Sequence, residues 1–304
     1  MTSKTAFLAG LAVVVLWASS FPAISVAAPE LGPVGLSLIR LVVAALALVI
    51  MALFTKVRLP ARRDLLLIIA ASFFGMTAYQ LLLNTGELFV PAGTASIIVA
   101  AAPLVSVAIA AVAFKEKLSA VRIIGSAVAI AGVCIVCLAR ASLTLSAAVW
   151  IIVAAMVVQG VYHPLSRLLL RRYSALEVAT YAMVAGTVMT LPLLPINWSQ
   201  LMSASGAAWI GAMYLGLLPS ALGFVLWGYA VARMPVVTST SLLYLVPAVA
   251  VLMSFLWLGE IPLTSEIVGG VIVIVGVAAI SQGDRIMIRL QAQTHRSSES
   301  DVNA

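Results

Sequence analysis

Long apolar stretches separated by short polar connections run through almost the whole chain. Crossing a hydrocarbon core of about 30 Å takes roughly 20 helical residues, so each stretch of that length predicts one membrane-spanning helix. Cutting the chain at charges, prolines, glycines and polar clusters gives an all-α integral membrane protein with ten transmembrane helices. The predicted spans are 5–27, 33–54, 64–86, 92–114, 119–139, 145–167, 176–195, 206–231, 236–258 and 264–283.

The composition agrees with lipid as the solvent. Hydrophobic residues fill 63% of the 304 positions and charged residues only 9%, whereas soluble domains average about a quarter charged residues. The first apolar stretch is longer than the core of a signal peptide, so we expect it to remain as an uncleaved span. The net charge of +7 lies in short clusters between apolar runs, which favours a role in membrane orientation over nucleic-acid binding.

The basic residues predict the orientation of the chain. Of the 17 Lys and Arg residues, 15 fall on one side of the predicted membrane, Arg140 falls on the other, and Arg40 lies within span two. Short positive loops tend to remain in the cytoplasm. Both termini are therefore predicted to be cytoplasmic, in the inner (plasma) membrane of a bacterium.

The two halves of the chain repeat one pattern. Pro103 recurs as Pro247 at an offset of 144 residues, and Pro22 recurs as Pro164 at an offset of 142 residues. A unit of five spans is odd, so its tandem copy emerges upside down, which predicts two inverted five-helix repeats around a central cavity. The predicted boundaries are 1–142 for the first repeat, 143–284 for the second, and 285–304 for a polar, disordered cytoplasmic tail.

A family resemblance rests on the same residues. The chain resembles the drug/metabolite transporter superfamily, specifically its ten-helix, EamA-type exporters, in the opening Leu16–Pro22, in Arg40, and in the paired stretches Pro103–Glu116 and Pro247–Glu260. Within that group it is most similar to YddG-like amino-acid exporters. The resemblance implies export of small metabolites such as amino acids through a cavity between the halves, without a bound cofactor.

Prolines inside spans one and six predict walls of that cavity. An interior proline removes a backbone hydrogen bond and kinks the helix, and freed backbone groups are tolerated where they line a cavity. Pro22 and Pro164 are therefore predicted hinges, although simple packing kinks would give the same pattern. The predicted substrate-binding residues are Trp17, Phe21, Arg40, Tyr79, Tyr162, His163 and Tyr244.

Two of these side chains are ionisable. Arg40, about 10 Å into span two, either faces the cavity and attracts a carboxylate or has a structural role or snorkels to the surface. His163 is either a ligand for substrate or protons or a hydrogen-bonded core residue. The aromatic candidates suit a flat or amphipathic solute, held by stacking with a few orienting hydrogen bonds. Glu116 and Glu260, at helix ends, are predicted to be structural: they cap the next helix or pair with Lys115, Lys117 or loop amides, and ion coupling is the alternative.

Neither an enzyme nor a metal site is predicted. The chain has no H-E-x-x-H, G-x-S-x-G or phosphate-loop motif, and Cys134 and Cys137 lie in an apolar run as expected core residues. The sequence favours a secondary transporter that works by alternating access, as a facilitator or a proton antiporter, with no cofactor. A multidrug or cationic drug exporter and a gated channel are the alternatives. The expected partners are a small-molecule substrate and membrane lipid, and a monomer is possible because the repeat supplies both halves.

Overall fold

The computed structural model describes residues 2–55, 57–113, 120–141, 147–233 and 242–279, which form helices joined by short turns. The helices are α1 Thr2–Leu31, α2 Pro33–Phe54, α3 Arg62–Gly86, α4a Ala92–Val99, α4b Ala102–Ala113, α5 Ala120–Ala141, α6 Ala147–Leu170, α7 Ala175–Thr190, α8 206–233, α9 Leu245–Leu258 and α10 Thr264–Ala279.

Helix length and composition match the predicted class of protein. Among the described residues, six helices are long and apolar enough to cross a membrane: α1, α2, α3, α6, α8, and α7 with its extension to Ser203. The other helices contain shorter apolar stretches of 10–17 residues. Leu53, Phe54 and Leu66 leave 78–84% of their surface exposed, as expected for side chains that face lipid rather than water.

Two helices widen into π turns at matching points. The π turn of α3 is Phe73–Ala78, and that of α8 is Gly216–Leu222, which contains Pro219. The two turns begin 143 residues apart, close to the repeat offsets. Because π turns are rare and recur at functional sites, Tyr79 and Phe224 directly beyond them become candidates for function.

Two further helices are interrupted near the middle of the molecule. The span predicted as a continuous helix over 92–114 breaks at residues 100–101, shortly before Pro103. A similar turn at residues 243–244 precedes Pro247 in the second half. Proline cannot donate a backbone hydrogen bond and disfavours helix geometry in the residue before it, which explains both interruptions.

The helices of the two halves interleave. α1 packs against α8 and α9, and correspondingly α6 packs against α3 and α4. The first helix of each half thus contacts the third and fourth helices of the other half. α2 packs against α7, and α4a packs against α9. Each of these contacts has a counterpart when the halves are exchanged.

The glycines of α5 and α10 bring two backbones together. A Cβ atom added to Gly132 would lie 2.8 Å from the carbonyl oxygen of Gly269, and one added to Gly276 would lie 2.7 Å from that of Gly125. Only hydrogen fits at these positions, so the helices pack at the close distance typical of small-residue interfaces. Helices α5 and α10 therefore meet backbone to backbone.

The contact between α2 and α7, with the connections that flank it, is here called the α2–α7 seam. At the end of the molecule that carries the basic connections, the basic end, Arg58 pairs with Glu177 at 2.9 Å and Arg172 pairs with Asp64. Glu177 raises the pKa of the Arg58 guanidinium through their hydrogen bond and charge attraction. Glu177 also completes a capping box with Ser174 at the start of α7. One carboxylate therefore both caps a helix and joins the two halves.

The same seam is also held at the opposite end. The backbone N–H of Val34 donates to the side-chain oxygen of Asn197 at 3.0 Å. The backbone N–H of Ser205 donates to the Glu30 carboxylate at 2.8 Å. The α2–α7 seam is therefore joined by polar contacts both at the basic end and at the opposite end.

A second contact, here called the α4–α9 seam, joins the halves at the opposite end. A Cβ added to Gly93 would lie 3.3 Å from Cγ2 of Val251. Glu260, just after α9, accepts from the backbone N–H groups of Ala92 and Gly93 at 3.3 and 3.4 Å. Glu260 is structural as expected, but it caps α4a of the other half and not the next helix in sequence. Glu116 lies outside the described residues.

One structural expectation is corrected. Cys134 is exposed on α5 and is not a core residue. Its helix is packed through the glycine face, while Cys134 lies on a different part of the helix surface. The side chain of Cys137 is outside the described part of the chain.

Candidate substrate cavity

A cavity of about 190 Å³ lies between the two halves, beside the helix interruptions. Helices α1, α2, α3, α4, α6, α8, α9 and α10 or their flanking turns all contribute side chains to it. The polar, aromatic and proline residues that line it are Trp17, Ser20, Phe21, Arg40, Tyr79, Ser96, Pro103, Gln159, His163, Phe224, Tyr244 and Pro247.

Most of the predicted substrate-binding residues come together on this cavity. Six of the seven line it: Trp17, Phe21, Arg40, Tyr79, His163 and Tyr244. They come from five separate parts of the chain, so their convergence follows from the packing of the halves and not from closeness in sequence. Their role in binding remains a prediction.

Tyr162 and the two predicted hinges lie differently. Tyr162 is outside the cavity lining, and its ring packs against Gly75 in the π turn of α3. Helix periodicity explains this position, because adjacent residues point about 100° apart and His163 takes the cavity face. α1 and α6 continue as helices through Pro22 and Pro164. The hinge role of these prolines stays a prediction.

The cavity is built from repeat-equivalent positions. On α1 and α6, Trp17 corresponds to Gln159 and Phe21 corresponds to His163, both at the 142-residue offset, and all four line the cavity. At the 144-residue offset, three further lining pairs are Val99 with Leu243, Ala100 with Tyr244, and Pro103 with Pro247. The repeat has kept the positions but not the chemistry: the α1 wall is aromatic, and the facing α6 wall is polar.

Arg40 is a buried cation in the cavity wall. Only 8% of its surface is exposed, so the side chain lies inside the protein and does not snorkel to the surface. Its Nε donates to Oγ of Ser220 at 2.8 Å, and Ser220 lies in the π turn of α8. Its Nη1 has no hydrogen-bond partner among the described residues. A buried, unpartnered donor on a cation is costly, so the arrangement is suited to an anionic oxygen of a solute.

The aromatic wall is fixed in place by the second π turn. Trp17 Nε1 donates to the carbonyl oxygen of Pro219 at 3.0 Å. The Trp17 ring lies 5.6 Å from the ring centroids of both Phe224 and Trp227. Gly223 leaves room for the indole, since an added Cβ would lie 2.8 Å from Trp17 Nε1. The tilted rings form an apolar surface on one side of the cavity.

The polar wall carries hydrogen-bonding groups that are not fully used. Gln159 Oε1 is buried and has no hydrogen-bond partner among the described residues. His163 lies beside it on α6, with its ring centroid 5.8 Å from that of Tyr162. No group of three or more His, Cys, Asp or Glu side chains within the described ranges could hold a metal ion. The wall therefore offers a buried hydrogen-bond acceptor to a solute.

One family model matches each half of the chain, over residues 4–138 and 146–282, and it describes the EamA-like transporter family. The chain belongs to the EamA-like transporter family. This confirms the resemblance drawn from the sequence. As an EamA-like protein, the chain is a multi-pass membrane transporter and not an enzyme.

Two relatives align over most of this EamA-like transporter. A probable terminal-alkyne amino-acid exporter of Streptantibioticus cattleyicolor is 52% identical over 269 residues, which covers 88% of this chain and 91% of the relative. The uncharacterized transporter YdfC of Bacillus subtilis is 32% identical over 263 residues, covering 86% of each chain. A solved crystal structure has a TM-score of 0.63 at 18% identity, covering 91% of this chain and 97% of its own, and shares the fold.

Some cavity residues of this EamA-like transporter escape sequence reasoning. Ser220 and Phe224 reach the cavity region because α8 contains a π turn, and hydrophobic periodicity does not reveal such a turn. The 142-residue offset, applied to Trp17, does lead to Gln159. Glu87 is a further buried residue that the span limits place outside the membrane core, and only tertiary packing shows its burial.

Proposed function

We propose that this transporter exports amino acids across the bacterial inner membrane by alternating access, through ten spans arranged as two inverted five-helix repeats. The spans of 1–142 and 143–284 form the repeats, with the cavity between them. The observation that carries the substrate assignment is Arg40, a buried cation with an unpartnered donor in a cavity that also has an aromatic wall.

Four observations support the inverted repeat. The family model matches twice in tandem, the contacts between helices exchange with the halves, the π turns recur 143 residues apart, and the cavity pairs equivalent positions. A repeat unit with five spans changes sides of the membrane, so its second copy is inverted. Such halves can exchange two packings about a fixed central site.

The excess of Lys and Arg on one side supports the orientation. Arg58, Arg172 and Arg233 lie at the basic end, and short positive connections remain in the cytoplasm. The basic end is then cytoplasmic, as are both termini. The opposite end, where the α4–α9 seam is closed, faces the outside.

The cavity chemistry favours an amino acid with a small, apolar side chain. Arg40 supplies a site for the carboxylate, and the rings of Trp17 and Phe224 supply an apolar surface for the side chain. The relative named as a probable terminal-alkyne amino-acid exporter supports this class, because an alkyne is slim, apolar and rich in π electrons. Aromatic amino acids extend the same class.

The alternatives fit the cavity less well. A buried Arg40 repels a cationic drug, and about 190 Å³ falls below the roughly 300–1,000 Å³ of pockets for drug-sized ligands. A gated channel would conduct without exchange between the two sides, and it would have a continuous polar lining. Exchange kinetics separate a channel from a carrier directly.

The test is counterflow in proteoliposomes that contain the purified transporter. Vesicles preloaded with unlabelled propargylglycine, a terminal-alkyne amino acid, should take up the labelled compound saturably and faster than empty vesicles do. Arg40→Gln should raise the KM roughly 10- to 100-fold, because a hydrogen bond to a charged group contributes about 1.5–3 kcal/mol. Arg233→Gln, which changes an exposed arginine stacked on Tyr229, should leave the KM unchanged.

Size-exclusion profiles and melting temperatures establish that both variants are folded. Uptake that is neither saturable nor stimulated by preloading contradicts a carrier and favours a channel. If folded protein exchanges cationic drugs but no amino acid, the substrate class proposed here is wrong.

A further inference from the structure

Glu87 is a buried carboxyl group just beyond the cavity. It follows the last residue of α3, one helical turn past Leu83 and two turns past Tyr79, both of which line the cavity. Only 5% of its surface is exposed. Ser25 Oγ donates to Oε2 at 3.2 Å, while Oε1 has no hydrogen-bond partner among the described residues. Burial without a full set of partners raises the pKa of the Glu87 carboxyl well above its ordinary value.

Three titratable groups lie within electrostatic range of Glu87. Arg40 of α2 lies within electrostatic range and stabilises the ionised carboxylate. Glu260, beyond α9, also lies within range and opposes a second negative charge. Tyr79 of α3 is the third. Glu260 already uses its carboxylate oxygens to cap α4a, whereas Oε1 of Glu87 is left without a partner among the described residues.

Arg40 and Glu87 together present two unsatisfied groups of opposite kind. Nη1 of Arg40 is a donor without an acceptor, and Oε1 of Glu87 is an acceptor without a donor. Both side chains are more than nine-tenths buried and lie within electrostatic range of each other. An α-amino acid carries a carboxylate and an ammonium group on one carbon, which is the complement of such a pair.

We propose that Arg40 and Glu87 hold the carboxylate and the ammonium group of an α-amino acid, and that the ammonium group and a proton compete for Glu87. This inference rests on the proposed function and adds how export of the amino acid is coupled to the entry of a proton. When the amino acid enters from the basic end, its ammonium group pairs with Glu87, and the displaced proton leaves to the water on that side. After the amino acid leaves at the opposite end, Glu87 takes a proton from the water there. One proton then enters for each amino acid exported.

The competition sets the direction of the pH dependence. Below the raised pKa of Glu87, the proton occupies the carboxyl group and amino-acid binding weakens. As the pH rises through that value, the carboxylate becomes free for the ammonium group and binding strengthens. A group with an unperturbed pKa would place this change near pH 4, far from neutrality.

The experiment compares an amino acid with its analogue that lacks the amine. Proteoliposomes containing wild type, Glu87→Gln, Glu87→Asp or the control Glu30→Gln are assayed for counterflow of propargylglycine and of 4-pentynoate, and for acidification driven by an amino-acid gradient. Glutamine at position 87 keeps an acceptor for Ser25 but never ionises. Glu30 is an exposed carboxylate at the same end, where glutamine can still accept from the Ser205 backbone.

We expect wild type and Glu30→Gln to transport propargylglycine in preference to 4-pentynoate. Both should also move protons in the direction opposite to the amino acid. Glu87→Gln should lose roughly 10- to 100-fold of that preference, carry the two compounds similarly, and show no proton movement. Counterflow of 4-pentynoate by this variant shows that it is folded, and Glu87→Asp should recover part of the coupling.

Two results overturn the inference. If wild type exchanges amino acids but Glu87→Gln keeps both the amine preference and the proton movement, Glu87 is not the ammonium site, and the proposed function stands. If Glu87→Gln loses counterflow of both compounds while Glu87→Asp does not recover either, the role of Glu87 is structural. Failure of wild type itself to move any amino acid instead removes the proposed function, and the inference with it.

Discussion

Among the described residues, the two seams between the halves differ in where polar contacts join them. The α2–α7 seam has polar contacts at both ends, with Arg58 and Glu177 at the basic end and Val34 and Asn197 at the other. The α4–α9 seam is joined at the opposite end by Glu260, and closer to the middle its two helices line the cavity. A seam joined at both ends can serve as a pivot. The described polar contacts of the α4–α9 seam lie at the opposite end, where their release would open the cavity, while the connections at its basic end, 114–119 and 234–241, lie outside the described residues.

The difference also shows where the helices are regular. α2 runs without interruption along the α2–α7 seam, whereas α4 breaks at residues 100–101 and the start of α9 is interrupted at residues 243–244. Discontinuous helices beside a central site are typical of secondary transporters. In the α4–α9 seam, the helices that form the cavity wall are therefore also the ones whose helical hydrogen bonding is interrupted.

The largest expected loss of stability comes from a bulky residue placed where α7 packs against α3, beside the α2–α7 seam. A Cβ added to Gly186 in α7 would lie 2.7 Å from Cβ of Met76, so Gly186→Val must push α7 away from α3 beside the seam. Overpacking of this kind costs about 1–3 kcal/mol or more. We expect a clearly lower melting temperature and a poor yield of monodisperse protein.

The matched control for that variant is Gly206→Val, where nothing lies within 4 Å of an added Cβ. Its melting temperature should stay close to that of wild type. Equal melting temperatures for the two valine variants would show that α7 does not need close packing against α3 beside the α2–α7 seam.

A smaller effect is expected at the basic end of the same seam. Glu177→Ala removes both the ion pair with Arg58 and the capping box with Ser174, which should cost about 1–2 kcal/mol. Arg58→Gln should cost clearly less than Glu177→Ala, because the Arg58 side chain is 66% exposed and exposed ion pairs contribute little. Equilibrium unfolding in mixed micelles measures both values. Equal costs would mean that the ion pair, and not the cap, holds this end.

Much of the fold could be predicted because the bilayer imposes long apolar helices. The limits of α1, α2 and α6 lie within a few residues of the predicted spans, and the repeat offsets led to Trp17, Phe21 and His163 on the cavity. Arg40 could be selected as ionisable and intramembrane, but the choice between cavity and surface required its contact with Ser220.

The remaining features depend on tertiary packing. Tyr162 and His163 are neighbours in sequence, and only the rotation of α6 decides that His163 faces the cavity. The π turns change the phase of α3 and α8 without any break in hydrophobicity. Glu87 looks like an ordinary loop carboxylate in the sequence, because its burial depends on α1 and its approach to Arg40 depends on α2.

The central claim, that the halves pivot on one seam and open at the other, can be tested by electron–electron distance measurements in nanodiscs. One pair of spin labels replaces Phe89 and Ile261 at the opposite end of the α4–α9 seam, and a second pair replaces Leu59 and Arg171 at the basic end of the α2–α7 seam, all exposed positions. Cys134 and Cys137 are first changed to serine so that only the chosen sites are labelled.

With saturating propargylglycine, the account predicts a second, longer distance for the Phe89 and Ile261 pair and a single, unchanged distance for the Leu59 and Arg171 pair. A new distance in the Leu59 and Arg171 pair, with the Phe89 and Ile261 pair unchanged, would contradict the account and move the gate to the α2–α7 seam.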